Sequence, residues 1–328
     1  MAGLFFTLSN DFVLICIYLV LALSLNLING YAGLFSLGHA GFWAVGAYCG
    51  SAAVVYAHAA APSLPGVPLF LFGGVVAVAA AALAGLAIGL PCLRLQGDYL
   101  AIATLGFSLI VVNVVTNLAV VGGSRSFPFD TLAWPEGMLY DLRLRVSHNV
   151  VHIILAAAAV AVTVVVIRNL RHSNHGRAIL SLREDEVASE LSGVNIVKYK
   201  LIVFVIGAAF AGLAGILFAT YNARISIEEF GFMAGVTILL MVVLGGMGSL
   251  SGTFIAVILL YEIPERLRLT QFQLFGKPLA DYWVVIYSLA LILLMILRPQ
   301  GLLGNRELGD MWPFRPMRGR TREKEAAP

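Results

Sequence analysis

Charged residues are what this 328-residue chain has least of: Asp, Glu, Lys and Arg together make up 12% of it. Soluble domains carry roughly 25%, and half that supply cannot keep a water-facing surface of this size in solution. Residues 1–93 contain no Lys or Arg at all. The first apolar run therefore lacks the basic start of a cleaved signal peptide and reads as a first membrane span. Cysteine is nearly absent too. Cys16, Cys49 and Cys92 stand alone in apolar stretches with no CxxC, which reads as small hydrophobes in helices rather than a disulfide or a metal site. A formal net charge of +3 is too small to point to nucleic acid.

The motifs of chemistry are missing as well. There is no G-x-x-x-x-G-K-[ST]; Gly276-Lys277 runs into Pro278 and lacks the earlier glycine, so this chain has no P-loop to cradle ATP. No H-E-x-x-H, G-x-S-x-G or paired cysteine cluster occurs. His172 and His175 lie in a basic loop and read as solvated. The carboxylates mostly flank the apolar runs instead of sitting inside them: Asp98, Glu228, Glu229, Glu262, Glu265 and Asp281 are near span ends. That argues against an intramembrane enzyme, and against a self-sufficient proton-coupled carrier, which needs buried ionisable relays. The chain reads as a non-enzyme with no metal or cofactor of its own.

What is there is hydrophobic sequence, 60% of the residues, gathered into runs at about 4–29, 40–57, 69–93, 99–121, 149–168, 199–222, 231–262 and 283–298. A spanning helix needs about 20 apolar residues, so the expected fold is an all-α polytopic helical membrane protein. The 231–262 run is too long for one span and is broken at Gly245-Gly246-Met247-Gly248-Ser249. Counted as two short spans it gives nine crossings in all, and counted as a re-entrant pair it gives seven. One transmembrane unit over 1–304 carries an outer loop at 122–148 and a charged loop at 168–200. A Pro-, Arg- and Lys/Glu-containing tail, 305–328, reads as solvated and partly disordered. Placing the charged loop and the tail in the cytoplasm puts fourteen of the 21 Lys and Arg on that side. The positive-inside rule then sets the N-terminus outside and the C-terminus inside.

Two polar, glycine-rich interruptions stand out: Asn29 to Gly41, and Gly245 to Gly252. Glycines let backbones approach closely, and a broken helix frees backbone groups to meet a polar solute. Either the breaks serve tight packing, or Ser36, His39, Gly245, Gly246 and Ser249 line or gate a translocation path. Both contain Gly-x-x-Gly and a Ser-Leu pair, Ser36-Leu37 and Ser249-Leu250. An inverted repeat places such breaks in matching positions, but this likeness is too short to establish one.

The loop from Arg168 to Lys200 carries six basic and four acidic residues, a mixture that argues against simple attraction to anionic lipid. Glu184, Asp185 and Glu186 suit the positive N-terminal end of a short helix, and Gly193 suits its stop. Val187, Leu191 and Val194 recur at i, i+4 and i+7 as one apolar stripe. A helix over roughly Glu184–Ser192 is marginal in water by itself and needs something to lie against. The preferred occupant is a partner protein.

At these residues the sequence resembles the permease subunits of bacterial ABC importers for branched-chain amino acids, the LivM type. The resemblance covers about residues 20–304. Its motifs are Gly30-Tyr31-Ala32-Gly33 to Gly46-Ala47-Tyr48, Leu93-Arg94-Leu95-Gln96-Gly97-Asp98-Tyr99-Leu100-Ala101-Ile102, Gly176-Arg177-Ala178 and Arg183-Glu184-Asp185-Glu186. They continue as Lys200 to Phe218 with Ala211-Gly212-Leu213-Ala214-Gly215, Val243-Leu244-Gly245-Gly246-Met247-Gly248-Ser249, Pro264-Glu265-Arg266-Leu267-Arg268 and Arg298-Pro299-Gln300-Gly301.

The resemblance implies a multi-pass subunit of the bacterial inner membrane that forms the path for branched-chain or other hydrophobic amino acids. A related importer for urea, amides or aromatic acids is the alternative, and a stand-alone carrier or channel is a reading from a different class. It also implies a second related permease chain, a periplasmic substrate-binding protein, and two ATP-binding subunits that hold the ATP and Mg. The coupling loop to those subunits falls on Gly176, Arg177, Arg183, Glu184, Asp185, Glu186, Ala188 and Gly193. ABC importers often show Glu-Ala-Ala, three residues, then Gly. Counting back from Gly193 gives Val187-Ala188-Ser189, so the spacing is kept and the acid is displaced to Glu186.

Overall fold

The structure, a computed structural model, describes residues 2–61, 66–92, 95, 97–118, 127–128, 148–222, 224–269 and 301–304, with single or paired positions between 273 and 296. The apolar run at 283–298, most of the 122–148 loop and the 305–328 tail lie outside the described residues.

Apolar sequence with little interior charge leaves the backbone no partner but itself, and the chain answers with helices. They are α1 (Ala2–Asn26), α2 (His39–Ala60), α3 (Gly66–Cys92), α4 (Asp98–Asn117), α5 (His148–His172), α6 (Asn174–Glu184), α7 (Glu186–Leu191), α8 (Ile196–Asn222), α9 (Phe232–Gly245) and α10 (Leu250–Leu269). Among the described residues six helices are long and apolar enough to cross a membrane, and α9 and most of α10 form shorter apolar helices. The 14 residues of α9 reach only about 21 Å, less than the ~30 Å hydrocarbon core. The expected break in the 231–262 run is therefore real, and it parts α9 from α10.

α1, α2 and α8 form the interior, whereas α3, α4 and α5 each bury no more than a third of their apolar window and make the outer layer. α2, α3 and α8 pack through small residues. A Cβ on Gly46 would stand 2.2 Å from the Gly212 Cα, and one on Gly212 would stand 2.5 Å from the Ala81 Cβ. In lipid, where exclusion from water no longer drives association, such close approach is the main source of helix–helix attraction. Beside this seam Trp43 packs edge-on against Phe218 and Phe230, at 4.9 and 4.6 Å between ring centres.

The helices sort their ends into two groups. One end of the molecule gathers the close of α1, the α9–α10 break, the start of α8, helices α6 and α7, and residues 301–304. The opposite end gathers the start of α1 beside the end of α10, where Asp11 faces Arg266 at 4.0 Å. There too His152, early in α5, meets Tyr221 at the end of α8, and Phe127–Pro128 pair antiparallel with Arg224–Ile225. Glu229 lies in the turn between α8 and α9. Burial holds its carboxyl above the usual carboxylate range, against the pull of the Ser226 amide that donates to it.

The charged loop departs from the single helix expected over Glu184–Ser192. It forms two helices meeting at an extended residue, Asp185. Glu184 ends α6 instead of starting α7. The reason is local: the Asp185 carboxylate accepts from the Val187 and Ala188 amides at 2.8 and 3.0 Å, an N-cap that requires non-helical backbone at that residue.

Candidate functional site

The two glycine-rich interruptions, more than about 200 residues apart in sequence, meet in space. α1 closes in a π-helical turn, Leu27–Tyr31, a local irregularity that often accompanies function. Gly30 lies against the second break so closely that a Cβ there would stand 2.3 Å from the Gly248 amide nitrogen. Only glycine permits that approach. One turn earlier, Asn26 uses its whole carboxamide across the junction. Its Nδ2 donates to the Ser249 carbonyl at 3.0 Å and to Thr253 Oγ1 at 2.9 Å, and its Oδ1 accepts from the Gly248 amide at 2.8 Å. A fully buried amide in an apolar helix is costly unless it is satisfied, and here all three bonds go to the other break.

Of the residues read as lining or gating a path, Gly245, Gly246 and Ser249 serve this junction. Ser249 caps α10, its hydroxyl accepting from the Gly252 amide at 3.1 Å, while its carbonyl takes the Asn26 bond. A Cβ on Gly245 would stand 2.7 Å from Thr253 Cα, and Gly246 adopts φ +106° beside Gly304. The Leu302 amide donates to the Leu244 carbonyl at 2.7 Å, so residues 301–304 close the end of α9.

Ser36 and His39 stand on the other side of the first break. The Asn29 Oδ1 accepts from the Ser36 amide at 3.2 Å and Thr104 Oγ1 accepts from the Leu37 amide at 3.1 Å, which holds the irregular backbone between helices. Ser24 Oγ lies 2.8 Å from His39 Nε2 and donates its single proton to the Leu21 carbonyl at 3.0 Å. Both His39 Nδ1 and Ser36 Oγ are buried with no protein partner. Ser24 lies two helical turns before Tyr31, about 10 Å along the axis, so α2 begins well inside the molecule. Irregular backbone at membrane depth requires such cover by protein or water.

The charged segment of α6 and α7 attaches to the same junction from outside. Arg183, near the end of α6, donates from Nη1 to the Gly30 carbonyl at 2.8 Å. Arg171, near the end of α5, lays its guanidinium over the Tyr31 ring at 5.6 Å. α7 is fastened at both ends. Asp185 caps its start, and Gly193 at φ +83° closes it with bonds from its own amide to Glu190 and from the Val194 amide to Ser189, at 2.9 and 3.0 Å. That pair is a Schellman closure. Glu186 turns inward to Lys200 of α8 at 2.5 Å.

The apolar stripe faces the opposite way, with Val187 68% and Leu191 85% exposed; Val194 lies beyond the helix and is half-buried. Ala188, Glu184 and Glu190 are exposed beside it, Arg177 bonds to Asn174, and Gly176, in the first turn of α6, is buried against the Leu170 and Arg171 carbonyls of α5.

The sequence reading thus named Arg183 but missed its target, and it overlooked Asn26, Thr253 and Lys200. Asn26 carried a usable signal, as one of two carboxamides, with Asn29, in the largely apolar span Asp11–Tyr31. Thr253 carried none. Among the described residues no group of three or more His, Cys, Asp or Glu is placed to hold a metal ion.

Comparison with known proteins gives a family. The family described as "Branched-chain amino acid transport system / permease component" matches residues 7–297. The high-affinity branched-chain amino acid transport system permease protein LivM of Salmonella typhimurium is 36% identical over 309 residues, 88% of this chain and 68% of that protein. The permease protein LivH of the same kind of system in Escherichia coli K12 is 27% identical over 304 residues, 89% of this chain and 92% of LivH. The probable branched-chain amino acid transport permease protein LivM of Methanocaldococcus jannaschii is 26% identical over 325 residues, 89% and 92% of the two chains. No solved structure matches.

Proposed function

Because this chain belongs to the branched-chain amino acid transport permease family, we propose that it is a transmembrane permease subunit of an ABC importer for branched-chain or other hydrophobic amino acids. ATP binding and hydrolysis, with Mg, occur on two partner ATP-binding subunits. A second, related permease completes the path, as similarity to both LivM and LivH supports, and a periplasmic binding protein delivers the solute. The subunit lies in the inner membrane with its N-terminus outside and the α6–α7 end in the cytoplasm. Ser36 and His39 are the candidate polar contacts along the path, since each keeps a buried, unpartnered polar atom.

One observation carries the reading beyond the family. α7 is capped at both ends, tied to α8 by an ion pair, and yet turns Val187 and Leu191 outward. A segment that is fixed in shape and apolar on its free face suits a groove on another protein better than water. The spacing before Gly193 places that face on the segment expected to couple to an ATPase.

The test is purification through a tag on this chain after Leu191→Asp. Burying one leucine contributes about 1.5–3 kcal/mol, so we expect at least a tenfold weaker hold on the ATP-binding chains, with the permease still inserted. Full retention and full substrate-stimulated ATP hydrolysis in both Leu191→Asp and Val187→Asp would sink the docking role. Substrate class is read separately, by whether branched-chain amino acids stimulate uptake or whether urea, short amides or aromatic acids do so instead.

A further inference from the structure

The docking segment, the first break and the second break are joined by consecutive polar contacts. This inference rests on the docking reading above and deepens it. Arg183 lies two residues before the cap of α7, so a tilt of α7 moves it directly. Its guanidinium holds the Gly30 carbonyl at 2.8 Å, one of the terminal carbonyls that a helix end leaves without a partner. One turn away on the same helix, Asn26 grips Gly248, Ser249 and Thr253 with every polar atom of its side chain. Between these contacts Gly30 lies directly against the Gly248 backbone, with the Asn26 Oδ1 beside both. Nothing in this chain of contacts is soft. A helix turn, a satisfied carboxamide and a charge-assisted bond all resist stretching, and packed interiors transmit displacement instead of absorbing it.

We propose that Arg183 and Asn26 form a two-joint strut that carries movement of the docking helices into both membrane breaks at once. Arg183 is the cytoplasmic joint and Asn26 the buried one. Both are positioning residues, acting through the breaks and not on the solute. The arrangement couples α1 to α9 and α10, so the two interruptions open or close together instead of singly.

Spatial continuity alone is not coupling, so the test reads coupling. The intact complex, purified through a tag on this chain, is reconstituted in proteoliposomes, and solute taken up per ATP hydrolysed is measured. Arg183→Met keeps the stem that packs over Gly33 and removes the donor. Uptake per ATP should fall about tenfold, the scale of one charge-assisted hydrogen bond. Arg183→Lys, which restores a donor, should recover most of it. Thr253→Val removes one partner of Asn26 at nearly constant shape and should lower the ratio severalfold. The double variant should be no worse than Arg183→Met, because both act on one strut.

Unchanged uptake per ATP in Arg183→Met would overturn the proposal, and so would multiplicative losses in the double variant. Equal loss of assembly in the Met and Lys variants would overturn it as well, marking a purely structural role. Absence of ATP-binding chains from the wild-type complex would instead defeat the docking reading itself.

Discussion

Lys200 and Glu186 form an ion pair whose two members have very different surroundings. The Lys200 side chain is 3% exposed and that of Glu186 is 35% exposed. Removing one partner strands the other, and the penalty depends on which is left in a dry place. Glu186→Gln leaves a buried ammonium with no counter-charge and should cost roughly 3 kcal/mol. Lys200→Met fills the buried space with an apolar stem and leaves a carboxylate that water reaches, at about 1 kcal/mol or less. Thermal unfolding of the two variants in detergent should show that order; the reverse order would mean that the pair does not hold the two helices together. The displaced acid of the Glu-Ala-Ala-like stretch thus points into its own chain. The carboxylates free to face a partner are Glu184 and Glu190.

At the scale of elements, α7 shows how a segment too short to hold its own shape is nevertheless ordered. Six residues cannot repay helix nucleation in water. The Asp185 cap, the Gly193 closure and the anchor to α8 supply what length does not. Gly193 occupies left-handed backbone, which costs a residue with a Cβ about 1–2 kcal/mol. Gly193→Ala should therefore raise hydrogen exchange at the Val187–Leu191 amides at least about fivefold, while the melting of the spans stays unchanged. Protection unaltered by the substitution would show that the ion pair alone orders the helix. The same logic explains why one helix was expected here and two formed. Three consecutive acids look equivalent in sequence, but only Asp185 has a side chain short enough to cap the Val187 and Ala188 amides from an extended backbone.

For the whole molecule, the decisive feature is which ends share a face. Helices α6 and α7, both breaks and Gly301–Gly304 lie together, while Asp11, Arg266 and Arg224 lie at the other end. Basic residues of the central loop therefore group with the segment leading into the tail, as the positive-inside count assumed. Absolute sidedness is open to a direct measurement. With Cys16, Cys49 and Cys92 replaced by alanine, Glu190→Cys should react with a membrane-impermeant thiol reagent only in inside-out vesicles. Labelling in right-side-out cells would invert the proposed topology. The small-residue seam of α2, α3 and α8 keeps this scaffold rigid while the breaks at its edge stay polar, an arrangement suited to moving one part of a helical protein against another.

Composition and run length were enough, by themselves, to determine a helical membrane protein, the position of nearly every described helix, and the two places where helices break. These are properties of local sequence: about twenty apolar residues have one solution in lipid, and the two breaks mix glycine with polar residues, unlike the glycines that pack inside α2, α3 and α8. The amphipathic pattern likewise marked the Val187 and Leu191 stripe that the structure leaves exposed. Only the tertiary structure decided that the breaks at Gly30 and Gly248 touch, that Asn26 binds across them, that Arg183 reaches the Gly30 carbonyl, and that Glu186 serves Lys200. Each of these joins residues far apart in the chain, through bonds whose partners could equally have been water or a neighbouring protein. Sequence periodicity records which face of a helix is apolar; it holds no record of what the opposite face meets.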